Sequence, residues 1–74
     1  MFIVSTYDDG EKTAAIEIED EDEAWGIYCV LAAMYMKSTK RDHDAAKVEL
    51  VWLGEESKLI ARYEQVAYKS EELK

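Results

Sequence analysis

Two stretches near the start of the chain carry strand patterns, the first a run of β-forming residues and the second an alternation of hydrophobic and polar positions. Phe2 to Tyr7 (Phe-Ile-Val-Ser-Thr-Tyr) is rich in residues that favour extended backbone, and it reads as a strand. Asp8-Asp9-Gly10-Glu11 reads as a turn, because Gly10 accepts positive φ and Asp side chains cap and tolerate such turns. From Lys12 to Ile18 the period is two: Ala14, Ile16 and Ile18 share one face, and Thr13, Ala15 and Glu17 share the other. That pattern predicts a half-buried strand, and the two strands together predict a hairpin.

The period then changes. Asp20 is a good helix N-cap, with Glu23 three residues on as in a capping box. The acids at positions 20–23 fall in the first turn, where the helix dipole favours negative charge. The helix is predicted from about Glu21 to Lys37, with Lys37, Lys40 and Arg41 suiting its opposite pole. Ser38 to Asp44 is polar and reads as a loop. Lys47 to Leu53 is β-branched and aromatic, and it reads as a strand ended by Gly54. The last segment carries two patterns. As a strand, Leu59, Ala61 and Tyr63 alternate with Lys58, Arg62 and Glu64, and residues 54–57 form a hairpin loop. As a helix, Leu59, Ile60, Tyr63, Val66, Ala67 and Leu73 share one arc. The strand is favoured for residues 58–66, because the preceding strand needs an antiparallel partner. Ala67 to Lys74 is either a short helix or a frayed end. No repeat, linker or second domain is visible in the 74 residues, which read as one domain. The fold predicted is α+β: a two-layer ββαββ arrangement, an antiparallel sheet with one central apolar helix packed on it.

That helix is too apolar for one sheet. Of the twelve residues from Trp25 to Met36, only Gly26 lies outside the hydrophobic set. At 100° per residue the apolar arc covers roughly 260°, whereas a helix on a sheet buries a stripe a little over 100° wide. Three coverings compete. The strands could curl while the terminal segment covers a flank. A homodimer could use Trp25, Cys29 and Met36, with Gly26 and Ala33 letting helices approach closely. Another protein could dock on the flank, since large exposed apolar patches mark interaction sites.

Composition narrows the class. A hydrophobic fraction of 49% excludes a disordered chain. One Cys excludes a disulfide framework and a Cys-based zinc site. No apolar run reaches the roughly 18 residues of a membrane span, and Met-Phe-Ile-Val-Ser has no basic region typical of a signal peptide. A cytoplasmic, reduced setting is the expectation. The net charge of −8 is confined to residues 1–23. There Asp8, Asp9, Glu11, Glu17, Glu19, Asp20, Glu21, Asp22 and Glu23 face a single base, Lys12, while residues 24–74 hold eight acids and eight bases. Such a field repels nucleic acid and anionic membranes and attracts basic protein surfaces.

No catalytic motif stands out, and an enzyme, a cofactor and a metal site are not expected. His43 in Asp42-His43-Asp44 fits a solvated loop better than a metal site, because adjacent residues rarely converge on one ion. Cys29, amid Ile27, Val30 and Leu31, fits a small buried hydrophobe better than a nucleophile. Asp8, Asp9 and Glu11 lack the spacing of a calcium loop. Trp52, Tyr63 and Tyr68 read as core or cross-strand residues. The acids at 17 and 19–23 are different: six in seven positions exceed what a cap and a dipole use, and like charges repel. With Asp8, Asp9 and Glu11 they are expected to form two acidic poles roughly 20–25 Å apart.

In size, acidity and compactness the chain is similar to small phage-type inhibitor proteins, including anti-CRISPR proteins and DNA mimics. The likeness is compositional and covers no specific residues. It implies a non-enzymatic inhibitor that docks its acidic residues on a basic, nucleic-acid-binding surface of another protein, without touching nucleic acid or membrane itself. The alternative expectation is a homo-oligomeric assembly module built on the helix flank of Trp25, Cys29, Ala33 and Met36.

Overall fold

The computed structural model describes residues 1–37 and 44–67. Along the chain run β1 (Phe2–Asp8), β2 (Glu11–Ile18), α1 (Glu21–Met36), β3 (Ala46–Leu53) and β4 (Ser57–Gln65). The strands form one antiparallel sheet in the order β2-β1-β3-β4, with α1 packed on one face. The α+β ββαββ arrangement expected from the pattern is the one observed, and residues 58–65 are strand. Lys40, Arg41, His43, Tyr68 and the tail beyond Ala67 lie outside the described residues.

Local chemistry sets the elements. Asp9 (φ 52°) and Gly10 (φ 85°) both take left-handed backbone, as a two-residue hairpin turn of matching twist requires. The Asp9 N–H donates to the Ala45 carbonyl at 2.8 Å, tying this turn to the start of β3. At the start of α1 the Asp20 carboxylate accepts from the Glu23 N–H at 2.8 Å, satisfying one of the free donors of the first turn. Glu21, Asp22 and Glu23 fill that turn. At the far end the Lys37 N–H donates to the Ala33 carbonyl at 3.2 Å.

The core is built from the two central strands and the near face of the helix. Val4, Val48 and Leu50 are fully buried, joined by Phe2, Ile18 and Ala24. Trp25, Ile27, Tyr28, Leu31 and Tyr35 close over them. Each fully buried aliphatic side chain contributes about 1.5–3 kcal/mol relative to exposure. Burial pushes the Tyr28 phenol above its ordinary range, and the neighbouring Cys29 adds to that. Thr6, buried in β1, shares its hydroxyl with Thr13 Oγ1 at 2.7 Å, and Thr13 Oγ1 donates to the Thr6 carbonyl at 3.2 Å. Thr13 is the extra residue where the β1–β2 register shifts.

Four expectations change. Ala14 and Ile16 are exposed, because the helix sits over β1 and β3 and leaves β2 as an open edge. Leu59 does not share a face with Ala61 and Tyr63. The β3–β4 register shifts at this point, pairing Leu50 with Ala61 but Val51 with Leu59, so Ile60 is an extra residue and Leu59 turns to the face away from the helix. Cys29 is exposed rather than buried. Trp25, expected on an open flank, is half-buried, edge-on to Tyr28 with ring centroids 5.8 Å apart.

Candidate functional site

The nine acids of residues 1–23 come to lie at the two ends of the β1–β2 hairpin. Glu19 to Glu23 follow the end of β2 and wrap the first turn of α1; Asp8, Asp9 and Glu11 surround the turn at the other end. The groups sit at opposite ends of β2, whose eight residues span about 25 Å of extended chain. All nine are exposed. The first group is not a single flat patch. Glu17 pairs with Ile3, so it points from the sheet face opposite the helix. On the helix, Glu21 leans toward the sheet, while Asp22 and Glu23 turn outward.

Tertiary structure adds residues to this pole that the linear charge pattern does not point to. The antiparallel pairing of β1 with β3 sets Phe2 beside Trp52, so the β3–β4 turn arrives at the same end as the helix N-terminus. Glu55 and Glu56 lie in that turn and are exposed. A shallow cleft between the two is lined by Phe2, Glu21, Trp52, Lys58, Leu59 and Ile60. Glu55 and Glu56 border a second hollow that shares Trp52 and Lys58. Trp52 packs on Phe2, centroids 4.8 Å apart, yet stays 38% exposed. A Cβ at residue 54 would lie 2.7 Å from its indole nitrogen, so Gly54 is what lets the ring lie flat there. The pole thus combines carboxylates, the Lys58 ammonium and an accessible indole.

The other pole is partly offset by bases. Lys47 sits over the Tyr7 ring at 4.3 Å and Lys12 at 5.8 Å. Lys47 also reaches Glu49 at 3.8 Å, and Arg62 pairs with Glu64 at 2.9 Å. These are surface pairs worth little in stability. The face of the sheet away from the helix is therefore mixed in charge near Tyr7 and apolar near Ile3, Val51 and Leu59. Between the poles runs the outer edge of β2, with which no described strand pairs.

Among the described residues, no three His, Cys, Asp or Glu side chains converge as a metal site would need. No described helix is long and apolar enough to cross a membrane. The outer face of α1 is apolar and open: Cys29, Val30, Ala33, Met34 and Met36 are all exposed, Val30 and Met34 by 61% and 62%. Of the helix flank expected to serve an oligomer or partner, Cys29, Ala33 and Met36 are exposed, with Val30 and Met34 beside them, while Trp25 is half-buried against the core. Compared with protein-family models, curated proteins and solved structures, the chain matches none.

Proposed function

We propose that this protein is a small non-enzymatic binding protein that docks on a basic, nucleic-acid-binding surface of another protein and blocks it. The observation that carries this reading is the confinement of the whole −8 net charge to 23 residues. The hairpin then holds those residues at its two ends with their side chains in solvent. Carboxylates spaced on a rigid β-hairpin and helix cap offer a partner's Lys and Arg side chains what a phosphate track offers them. The pole of Glu19, Asp20, Glu21, Asp22 and Glu23, extended by Glu55 and Glu56, is the stronger of the two, because Lys12 and Lys47 temper the other. Trp52 supplies an aromatic anchor beside it, of the kind enriched at interface hot spots. Charge complementarity of this sort chiefly raises the association rate and makes binding sensitive to salt.

The test is a capture experiment with two baits, the natural protein and a variant carrying Glu19→Gln, Asp20→Asn, Asp22→Asn and Glu23→Gln. Asn preserves a helix N-cap, so the second bait keeps its fold. A basic nucleic-acid-binding protein held by the first bait and lost with the second supports the reading. Capture that is equal with both baits, or that is unchanged between low salt and about 0.5 M salt, defeats it.

A further inference from the structure

The outer face of α1 is its own complement. Taking 100° per residue, Asp22, Gly26, Cys29, Val30, Ala33 and Lys37 all lie within about 50° of one direction, opposite the side packed on the sheet. Every one of them is exposed. Their order is symmetric about the midpoint between Cys29 and Val30. Gly26 and Ala33 are equidistant from it, and so are Asp22 and Lys37. One end of the face is acidic and the other basic, and the two residues nearest the centre line on either side are small. Met34 and Met36, 62% and 53% exposed, border the stripe with flexible apolar side chains.

We infer that this face pairs with the same face of a second copy, as an antiparallel helix pair about a twofold axis beside Cys29 and Val30. A twofold interface must present the same patch from both sides, and antiparallel register satisfies every position here. Asp22 of each chain meets Lys37 of the other, so charge is matched at both ends of the contact. Gly26 meets Ala33 twice, which removes the bulk that would hold the helices apart. The two helix dipoles run in opposite senses, which sets the positive N-terminal pole of each helix beside the negative C-terminal pole of the other. Parallel pairing reverses all of this, setting Asp22 on Asp22 and Lys37 on Lys37. The assembly is a sheet–helix–helix–sheet sandwich; Asp22 of the acidic helix cap enters the contact, while Asp8, Asp9, Glu11, Glu55 and Glu56 remain outside it. The inference rests on the helix face alone and stands or falls separately from the docking function.

The register makes a sharp prediction. With interaxial distances of about 8–10 Å, the two Cys29 Cα atoms lie roughly 5–7 Å apart, within or at the edge of disulfide range. The two Met36 positions lie roughly 20 Å apart along the axes. The experiment combines sedimentation velocity from micromolar to submillimolar concentration with oxidative cross-linking by copper–phenanthroline, which takes up the two electrons the thiols release. The natural chain is expected to show a concentration-dependent dimer and an efficient Cys29–Cys29 cross-link. A Cys29→Ala, Met36→Cys variant is expected to dimerise without cross-linking. Ala33→Arg is expected to weaken the dimer about tenfold or more, while its melting curve as a monomer stays unchanged, since Arg suits an exposed helix position. Lys37→Glu and Asp22→Lys each weaken the dimer several-fold, and together they restore it. A monomer at every concentration overturns the inference. So does equal cross-linking from positions 29 and 36, or an Ala33→Arg variant that dimerises as well as the natural chain.

Discussion

Asp20 carries two duties that a pair of substitutions can separate. Its carboxylate accepts the Glu23 N–H at 2.8 Å and so caps α1, and its charge belongs to the stronger acidic pole. Asp20→Ala removes both. Losing an N-cap acceptor costs about 0.5–2 kcal/mol, typically about 1. For a 74-residue domain that lowers the melting temperature by roughly 4–8 °C per kcal/mol. Asp20→Asn keeps the acceptor and removes the charge. It forfeits a favourable charge–dipole interaction of about 0.3–1 kcal/mol. It also relieves repulsion from Glu19, Glu21, Asp22 and Glu23, an effect of similar size and opposite sign. The net change for Asn is therefore expected within about 0.5 kcal/mol of zero. The assay is thermal unfolding followed by circular dichroism at 222 nm, at low salt and at about 0.5 M salt, where screening removes most of the charge contribution. The Ala deficit should persist in high salt, because it is a lost hydrogen bond. If Ala and Asn lose the same stability, or if the Ala deficit vanishes in salt, Asp20 acts by charge and the capping argument is wrong.

Three further outcomes test the packing. Leu50→Ala empties a fully buried site between β1, β3 and α1 and should cost about 3–5 kcal/mol, a large part of the roughly 4–11 kcal/mol a domain this size holds; urea unfolding read by tryptophan fluorescence measures it. Thr13→Val takes away the partner of the buried Thr6 hydroxyl and should cost about 1–2 kcal/mol; the Thr6→Val, Thr13→Val double variant should cost less than the two single losses combined. Burial raises the Tyr28 phenol, so folding favours its protonated form, and stability should be intact at neutral pH and fall as pH rises through the alkaline range; Tyr28→Phe should flatten that fall, and an unchanged slope counts against the burial argument.

Much of this molecule is written locally. Asp9-Gly10 specifies its own turn, since few other pairs accept positive φ twice in succession. Asp20 announces the start of the helix, its carboxylate accepting from the Glu23 N–H three residues on. The alternation in residues 58–65 reads as a strand once the neighbouring strand demands a partner, and that is how it folds. Other features were not legible, because they depend on which strands lie side by side. Nothing local says that β1 sits between β2 and β3, so the exposure of Ala14 and Ile16 follows only from where the helix lands. The extra residue at Ile60, which sends Leu59 to the far face, belongs to the register between two strands and not to either one. Cys29 looked buried by its neighbours in sequence and is exposed, because its angular position on the helix faces away from the sheet.

The charge shows the same division. Sequence alone determines that the net −8 belongs to the first 23 residues and that strand and helix signals alternate as ββαββ, because charge counts and periodicity are properties of neighbouring residues. Only the tertiary structure decides that Glu55, Glu56 and the exposed Trp52 join the acidic helix cap at one end of the sheet, because the antiparallel pairing of β1 with β3 sets Phe2 beside Trp52 and brings the β3–β4 turn to the end where β2 leads into the helix. It also decides which half of the over-apolar helix is left in solvent, because a single sheet beneath it covers one side and no more.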